Sequence, residues 1–411
     1  MNMIPIANRF FRYVSIDTQG NAQENVCPSS ENQRFLAELL MDELQEFGVE
    51  EVMIDEKSFL YARIPSNVER EVPSLAFIAH LDTSPEVPGG NVKPRIVEKY
   101  DGGSILLNKR LGVILSPEEF PAMLEHKGED LIVTDGTTVL GADGKAGITE
   151  IMEAIKHLSE HPEIEHGEIY IVFTPDEELG YSTDFISMER VPARFGFTVE
   201  GGSVGEINYE NFNAATATVR VNGSNIHPGA ARNKMKNAVL LAQKFISCIP
   251  ENETPESTEN YEGYYHISDI RGGIEKCIMT YNIRDFNPEN YSFRKERIKK
   301  TAEFLNEYYG KGTFEVQVED YYLNMKQKVD AYPELMENAE KAIRLAGIEP
   351  KCIPVRGGTD GVTISFMGMP CPNIFSGEQN GQSVYEFISV QTMEKATQVI
   401  VNLIRIFAEA S

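Results

Sequence analysis

Three short runs of nearly unbroken apolar residues stand out along the chain: SLAFIAH at 74–80, EIYIVFTP at 168–175 and FGFTVEG at 195–201. Their continuity predicts strands buried on both faces. Other stretches repeat apolar positions every three or four residues. Residues 32–48, NQRFLAELLMDELQEFG, predict a helix stopped by Gly48, since glycine tolerates the left-handed backbone that ends helices. Residues 144–158 predict another helix, and near the N-terminus Ile6, Phe10 and Val14 share one helical stripe. The chain from 81 to about 135 reads as loop-rich.

Near residue 212 the texture changes. ATATVRVNG alternates with period two, as a half-exposed antiparallel strand does. It is followed by a helix at 237–249, a polar loop at 250–263, the strand IMTYNIRDF at 278–286, a long amphipathic helix at 289–310 and the alternating strand TFEVQVEDYYL at 313–323. The first texture then returns, with a helix at 333–347, strands at 352–355 and 373–376, and a helix from about 391 onward. The expectation is an α/β fold: a helix-covered mixed sheet in two sequence pieces, 1–211 and 322–411, with an inserted α+β domain at 212–321.

Composition narrows the function. The 411 residues carry 63 acids against 38 bases, a formal net charge of −25. Such a field repels nucleic acid and anionic membranes. No segment approaches the roughly 20 apolar residues of a membrane span, and the N-terminal stretch has no signal-peptide core. The five cysteines, Cys27, Cys248, Cys277, Cys352 and Cys371, follow no metal-binding spacing, which predicts reduced thiols in a cytoplasmic protein.

The candidate chemistry gathers at predicted strand ends. His80 and Asp82 close the first strand in AHLDTSP, Asp143 in GADGKAG precedes a helix, Glu177 and Glu178 in FTPDEELG follow the second strand, and Glu200 ends the third. Any one of these acids alone reads as an ordinary surface-loop residue. In open α/β sheets, however, sites form at strand C-termini. A divalent cation there would relieve the repulsion among neighbouring carboxylates and lower their pKa values.

In family order, the segments AHLDTSP, GADGKAG, FTPDEELG, FTVEGGSVGE, NIHPG, YNIRDF and VRGGTDG run across nearly the whole chain. They resemble the aminotripeptidase (peptidase T) branch of the two-zinc exopeptidases. The resemblance implies two Zn2+ per subunit and release of the N-terminal residue from short peptides, tripeptides above all. His80 would ligate the first metal and Asp82 would orient its ring. Asp143 would bridge both metals, Glu178 would hold the second and Glu200 the first. Glu177 would be the general base that takes a proton from a metal-activated water. His227 would stabilise the oxyanion, and Arg284 and Arg356 would hold the substrate's carboxylate or backbone. For each arginine the competing reading is a structural ion pair in an acidic chain, and Thr359 and Asp360 read as shaping the glycine turn. The inserted domain would serve as a lid and mediate a homodimer, with IMTYNIRDF either an edge strand or internal to its sheet.

Three positions depart from the family pattern. The family's second-metal histidine falls at Gln382 in SGEQNGQSVYEF, and Glu378 replaces a glycine in the same loop. An amide oxygen is a weaker donor to zinc than imidazole nitrogen. This predicts a weak or empty second position, or Mn2+ or Co2+ in place of zinc. Glu200 stands where an aspartate is usual, although related enzymes use either acid. Gly144 stands where a second aspartate is usual, next to a peptide bond that the family holds cis. Two alternatives follow: a peptide-binding homologue that has lost or reduced turnover, and a hydrolase of dipeptides or N-acyl amino acids.

Overall fold

The computed structural model describes residues 5–24, 26–180 and 182–409. It divides into two compact units. The first comprises the chain up to Tyr209, Gln327–Ile353 and the part from Thr359 onward; the second comprises Glu210–Lys326 and Pro354–Gly358.

The first unit is built on an eight-stranded mixed sheet in the order 51–54, 60–64, 169–174, 75–80, 195–199, 373–374, 206–208 and 351–352. The central strands 169–174, 75–80 and 195–199 run parallel. All are buried along their length, as their apolar runs require. Alternate side chains enter opposite layers: Leu75, Phe77 and Ala79 join one cluster with Leu36, Leu40, Ile151, Ile155 and Ile400, while Ala76 and Ile78 join another with Ile364 and Cys371. The helices Glu31–Glu46, Ala142–Glu160, Pro333–Leu345 and Val390–Glu409 supply the first layer, and Asp360–Met367 supplies the second. Full burial of a side chain such as Phe77 is worth about 1.5–3 kcal/mol, so these layers fix which sheet edge can carry a site.

The predicted N-terminal helix spans Pro5–Val14 and buries Ile6, Phe10 and Val14. Residues 1–4 and 410–411, included in the expected terminal helices, lie outside the described residues. The loop-rich region contains short strands at Arg95–Val97, Ile105–Asn108, Val113–Leu115 and Leu131–Val133, too brief to leave a period. Among the described residues, no helix is long and apolar enough to cross a membrane.

The second unit is a four-stranded antiparallel sheet in the order 264–272, 276–285, 213–222 and 314–322. The helices Ala238–Ile246 and Pro288–Tyr309 pack on it through Ala242, Phe245, Ile298 and Leu305, against Ala215, Ala217, Val219 and Val221. The strand Tyr264–Gly272 is absent from the sequence reading. It is an edge strand with a mostly exposed second half carrying Asp269 and Arg271, and charge on an edge masks the apolar period. The segment containing IMTYNIRDF is internal, paired on both sides. Residues 354–358, assigned to an outer piece from sequence, belong to this unit because the Val355 N–H donates to the Glu210 carbonyl at 2.8 Å and Arg356 is tied to residues 258–262.

Candidate functional site

His80 and Thr174 sit side by side at the ends of adjacent parallel strands, and Val199 ends the strand on the other side of Leu75–His80. The loops leaving this edge carry Asp82, Glu177, Glu178 and Glu200. Asp82 organises them. Its carbonyl oxygen and its Oδ1 lie 3.1 Å and 3.3 Å from His80 Nδ1; Oδ1 also accepts the Glu177 N–H at 3.0 Å, and Oδ2 accepts the Glu178 N–H at 3.0 Å. One buried aspartate, through its carbonyl and its carboxylate, therefore orients a candidate ligand ring and positions both glutamates. With Nδ1 facing Asp82, His80 turns Nε2 toward Asp143, 3.1 Å from its Oδ1.

Two further acids pin the glutamate loop. Asp176, at φ 57°, directs its carboxylate away from the cluster. It accepts the Ser29 N–H at 2.7 Å, the Ser29 hydroxyl at 2.5 Å and the Gln33 amide at 2.7 Å. Asp360 accepts hydroxyls from both sides of the loop, Thr174 at 3.0 Å and Ser182 at 2.5 Å. The three consecutive acids of FTPDEELG thus point to separate tasks, and Asp176 belongs to the scaffold.

Asp143 opens its helix through a break in helical geometry, with Asp143 at φ −59°, ψ 113° and Gly144 at φ 83°, ψ −52°. The peptide bond next to Gly144 is not among the cis bonds of the described residues, where Cys27–Pro28 is the cis peptide. Gly144 instead turns the chain through its positive φ. The helix start is capped by Glu386, whose carboxylate accepts the N–H groups of Leu140 at 2.6 Å, Gly141 at 2.9 Å and Asp143 at 2.9 Å. Gln382, at φ 59°, donates its side-chain amide to Glu178 Oε2 at 2.6 Å. Glu378 is buried and accepts the Ser376 hydroxyl.

The electrostatics are those of carboxylates crowded out of water. Burial pushes Glu177 well above the ordinary glutamate range, with Glu200 adding to the shift. Burial, then Asp143, raises Glu178 to about 8. Burial also raises Glu200 to about 8, against the charge of His80. Burial opposes charge on His80, but Asp143 and Asp82 outweigh it and hold the imidazole pKa well above its usual value.

Among the described residues, no three histidine, cysteine, aspartate or glutamate side chains already converge as a metal cage. The candidate ligands stand as pairs, His80 with Asp143 and Glu178 with Gln382. The donor set nevertheless suits cations, because Oε1 of Glu178 and Oε1 of Glu200 are buried without a hydrogen-bond partner. An unpaired buried carboxylate oxygen is costly unless a proton or a cation reaches it.

The remaining predicted residues belong to the second unit. His227 is exposed, and its Nδ1 accepts the Gly229 N–H at 3.2 Å. Arg284 donates to the carbonyls of Ala215 at 3.3 Å and Ile283 at 3.1 Å, with its guanidinium over the Tyr322 ring. Arg356 donates to the carbonyls of Asn260, Glu262 and Thr258 and to the Thr258 hydroxyl, and stacks on Phe212 and Tyr264.

Sequence reasoning missed the positioning roles of Asp176, Asp360 and Glu386. Only the position of Asp176 within FTPDEELG and of Asp360 within VRGGTDG hinted at them; Glu386 left no signal, because its partners are more than 240 residues away.

The model of "Peptidase family M20/M25/M40" matches residues 138–406. A "Peptidase T" from Desulfitobacterium hafniense (strain Y51) is 48% identical over 407 residues, covering 99% of each chain. Among solved structures, aminopeptidase PepT from Bacillus cereus ATCC 10987 superposes with a TM-score of 0.77 at 24% identity, covering 98% of both chains. A tripeptidase from Staphylococcus aureus superposes with a TM-score of 0.78 at 24% identity, again covering 98% of both. At that identity the two structures establish the fold.

Proposed function

The chain belongs to the peptidase family M20/M25/M40, and from that premise we propose that it is a metal-dependent aminopeptidase releasing the N-terminal residue from tripeptides. The observation that carries the reading is Asp82, whose carbonyl and carboxylate fix the His80 ring and whose carboxylate fixes the backbone of Glu177 and Glu178 at one sheet edge. A candidate base is thereby held beside candidate ligands before any substrate arrives.

His80, Asp143 and Glu200 would hold one divalent cation, zinc by the resemblance, and Asp143, Glu178 and Gln382 a second. Bound there, such cations supply Lewis-acid polarisation of the scissile carbonyl and a water of lowered pKa. Glu177, whose own pKa is raised by burial, takes the proton of the attacking water and returns it to the leaving amine. Asp82 keeps the His80 Nδ1 proton in place, which leaves Nε2 to ligate. His227 is assigned to the oxyanion and Arg284 to the substrate's carboxylate or backbone. Arg356 already clamps the 258–262 loop, and an Arg356→Ala variant decides whether it also holds substrate.

Glu177 and the peptidase relatives count against the peptide-binding alternative. The proposal also includes a cytoplasmic location, consistent with five cysteines that form no disulfide. A homodimer through the second unit completes it, and the edges open to strand pairing are Tyr264–Gly272 and Phe314–Tyr322.

The test is residue release by metal-stripped protein, with zinc, manganese or cobalt added back in turn. The substrates are a tripeptide, its N-acetylated form, a dipeptide and an N-acyl amino acid. Release from the free tripeptide alone, dependent on metal, is the expected result. Preference for the dipeptide or the N-acyl amino acid moves the activity to those substrates, and no release by folded protein sinks the enzyme reading.

A further inference from the structure

Nitrogen donors are scarce where this chain gathers its acids. Of the five histidines of the first unit, His80 alone stands in the cluster. His126 is bonded to Glu129 and His166 to the Gly167 carbonyl. His157 and His161 lie ring against ring at the end of the Ala142–Glu160 helix, 4.3 Å between centroids. His80 is committed through both ring nitrogens, to Asp82 and Asp143.

The Glu178–Gln382 pair has a different character. Gln382 reaches Glu178 across a sequence separation of 204 residues at 2.6 Å. Its loop is held by the Asn380 amide on the Tyr385 carbonyl at 3.1 Å and the Ser383 hydroxyl on the Asn380 carbonyl at 2.7 Å. The loop also runs close to Asp143: a Cβ added at Gly381 would stand 3.1 Å from Asp143 Oδ2. Among the described residues no imidazole is bonded to Glu178 or Gln382, while His80 stays with Asp82 and Asp143. One Glu178 oxygen accepts the Gln382 amide while the other, Oε1, is buried and unpartnered. Rotating the Gln382 amide end over end replaces its N–H donor with its carbonyl oxygen. The amide oxygen and the Glu178 carboxylate would then both present acceptors, with Asp143 next to the same loop, and Oε1 of Glu200, nine-tenths buried, is also unpartnered.

We propose that the two cation positions are chemically unlike: the position at His80 retains zinc through a nitrogen donor, and the position at Glu178 and Gln382 is built of oxygen donors alone and is an exchangeable site for a hard cation such as manganese(II). The proposal rests on the metallopeptidase reading above and adds the identity and lifetime of each ion. Zinc is held best by nitrogen and sulfur, whereas carboxylate and carbonyl oxygens suit manganese and magnesium. Replacing imidazole by an amide lowers the zinc affinity and narrows its margin over harder ions. Availability then decides what fills the position.

The experiment measures metal content and needs no turnover. Stripped protein is loaded with excess zinc, passed through gel filtration and analysed for zinc per chain. The one-zinc form is then titrated with manganese(II), and free manganese is followed by electron paramagnetic resonance. The wild type is expected to keep one zinc and bind one further manganese reversibly. Gln382→His is expected to keep two zinc ions, with the second held about tenfold or more tighter, since even outer partners of metal ligands are worth about 10–100-fold in affinity. Gln382→Leu, which removes the amide oxygen and covers the case of a misfolded histidine variant, is expected to keep its zinc and lose the manganese. Two zinc ions retained by the wild type would overturn the proposal while leaving the metallopeptidase reading intact. Manganese binding unchanged in Gln382→Leu would also overturn it. No zinc retained by folded wild type or by Gln382→His would refute the metallopeptidase reading itself, and this proposal with it.

Discussion

Replacing Gly144 with alanine probes how the candidate centre is built. The residue sits at φ 83°, where a side chain costs about 1–3 kcal/mol. A Cβ there would also lie 2.6 Å from the His80 carbonyl oxygen, 2.7 Å from His80 Cε1 and 2.8 Å from His80 Nδ1. The carbonyl belongs to a central strand and cannot yield, and the ring is held by Asp82, so the overlap adds about 1–3 kcal/mol of overpacking. The total, about 2–6 kcal/mol, is a large share of the roughly 5–15 kcal/mol that stabilises a typical protein. Gly48 is the natural control: its φ is 85°, but an added Cβ meets nothing within 4 Å. Gly48→Ala should therefore show only the backbone cost. Urea unfolding of both variants, with zinc retention measured alongside, separates the terms. Gly144→Ala should lose clearly more stability than Gly48→Ala and hold zinc less well, as the ring is displaced. Equal losses in the two variants, with zinc retention unchanged in Gly144→Ala, would refute the account of His80 and Gly144 as one packed unit. The same reasoning makes Gly144→Asp, the residue expected from the resemblance, a destabilising change in this chain.

Glu177→Gln should lower kcat about 10²–10⁴-fold while leaving zinc content unchanged, and loss of zinc in this variant would make Glu177 a ligand. For Arg356→Ala, loss of charge-assisted bonds to Asn260, Glu262 and Thr258 predicts a stability cost of about 1.5–3 kcal/mol with KM little changed; a rise in KM at full stability would assign Arg356 to substrate. Stability of the metal-free protein should fall as pH rises from about 4.5 to about 8. Glu178 and Glu200 have pKa values raised to about 8 in the folded state, so the folded chain binds more protons than the unfolded chain across that window. Thermal melts across this pH range with and without zinc test it: the cation should stabilise more as pH rises, and a metal-free midpoint that climbs over the range would contradict the burial of these acids.

Much of this molecule was legible in one dimension because its causes are local. Apolar runs buried on both faces marked the strands 75–80, 169–174 and 195–199, and helical periods marked 31–46 and 288–309 to within a residue or two. Motif order placed His80, Asp82, Glu177, Glu178 and Glu200 at strand ends, where parallel strands bring their C-termini to one edge. The strand Tyr264–Gly272 leaves no mark in the sequence because an exposed, charged edge carries little apolar period, and that strand in turn makes 276–285 internal. Tertiary structure alone decided the partnerships of the acids. Asp176 turns to Ser29 and Gln33, Asp360 closes on Thr174 and Ser182, and Glu386 caps the helix that carries Asp143. A carboxylate looks the same in sequence whether it binds a cation, a hydroxyl or a backbone N–H. What separates these roles is which donors the fold brings within 3 Å, often from more than 100 residues away, and Gln382 meeting Glu178 is the case on which the chemistry of the proposed second cation position turns.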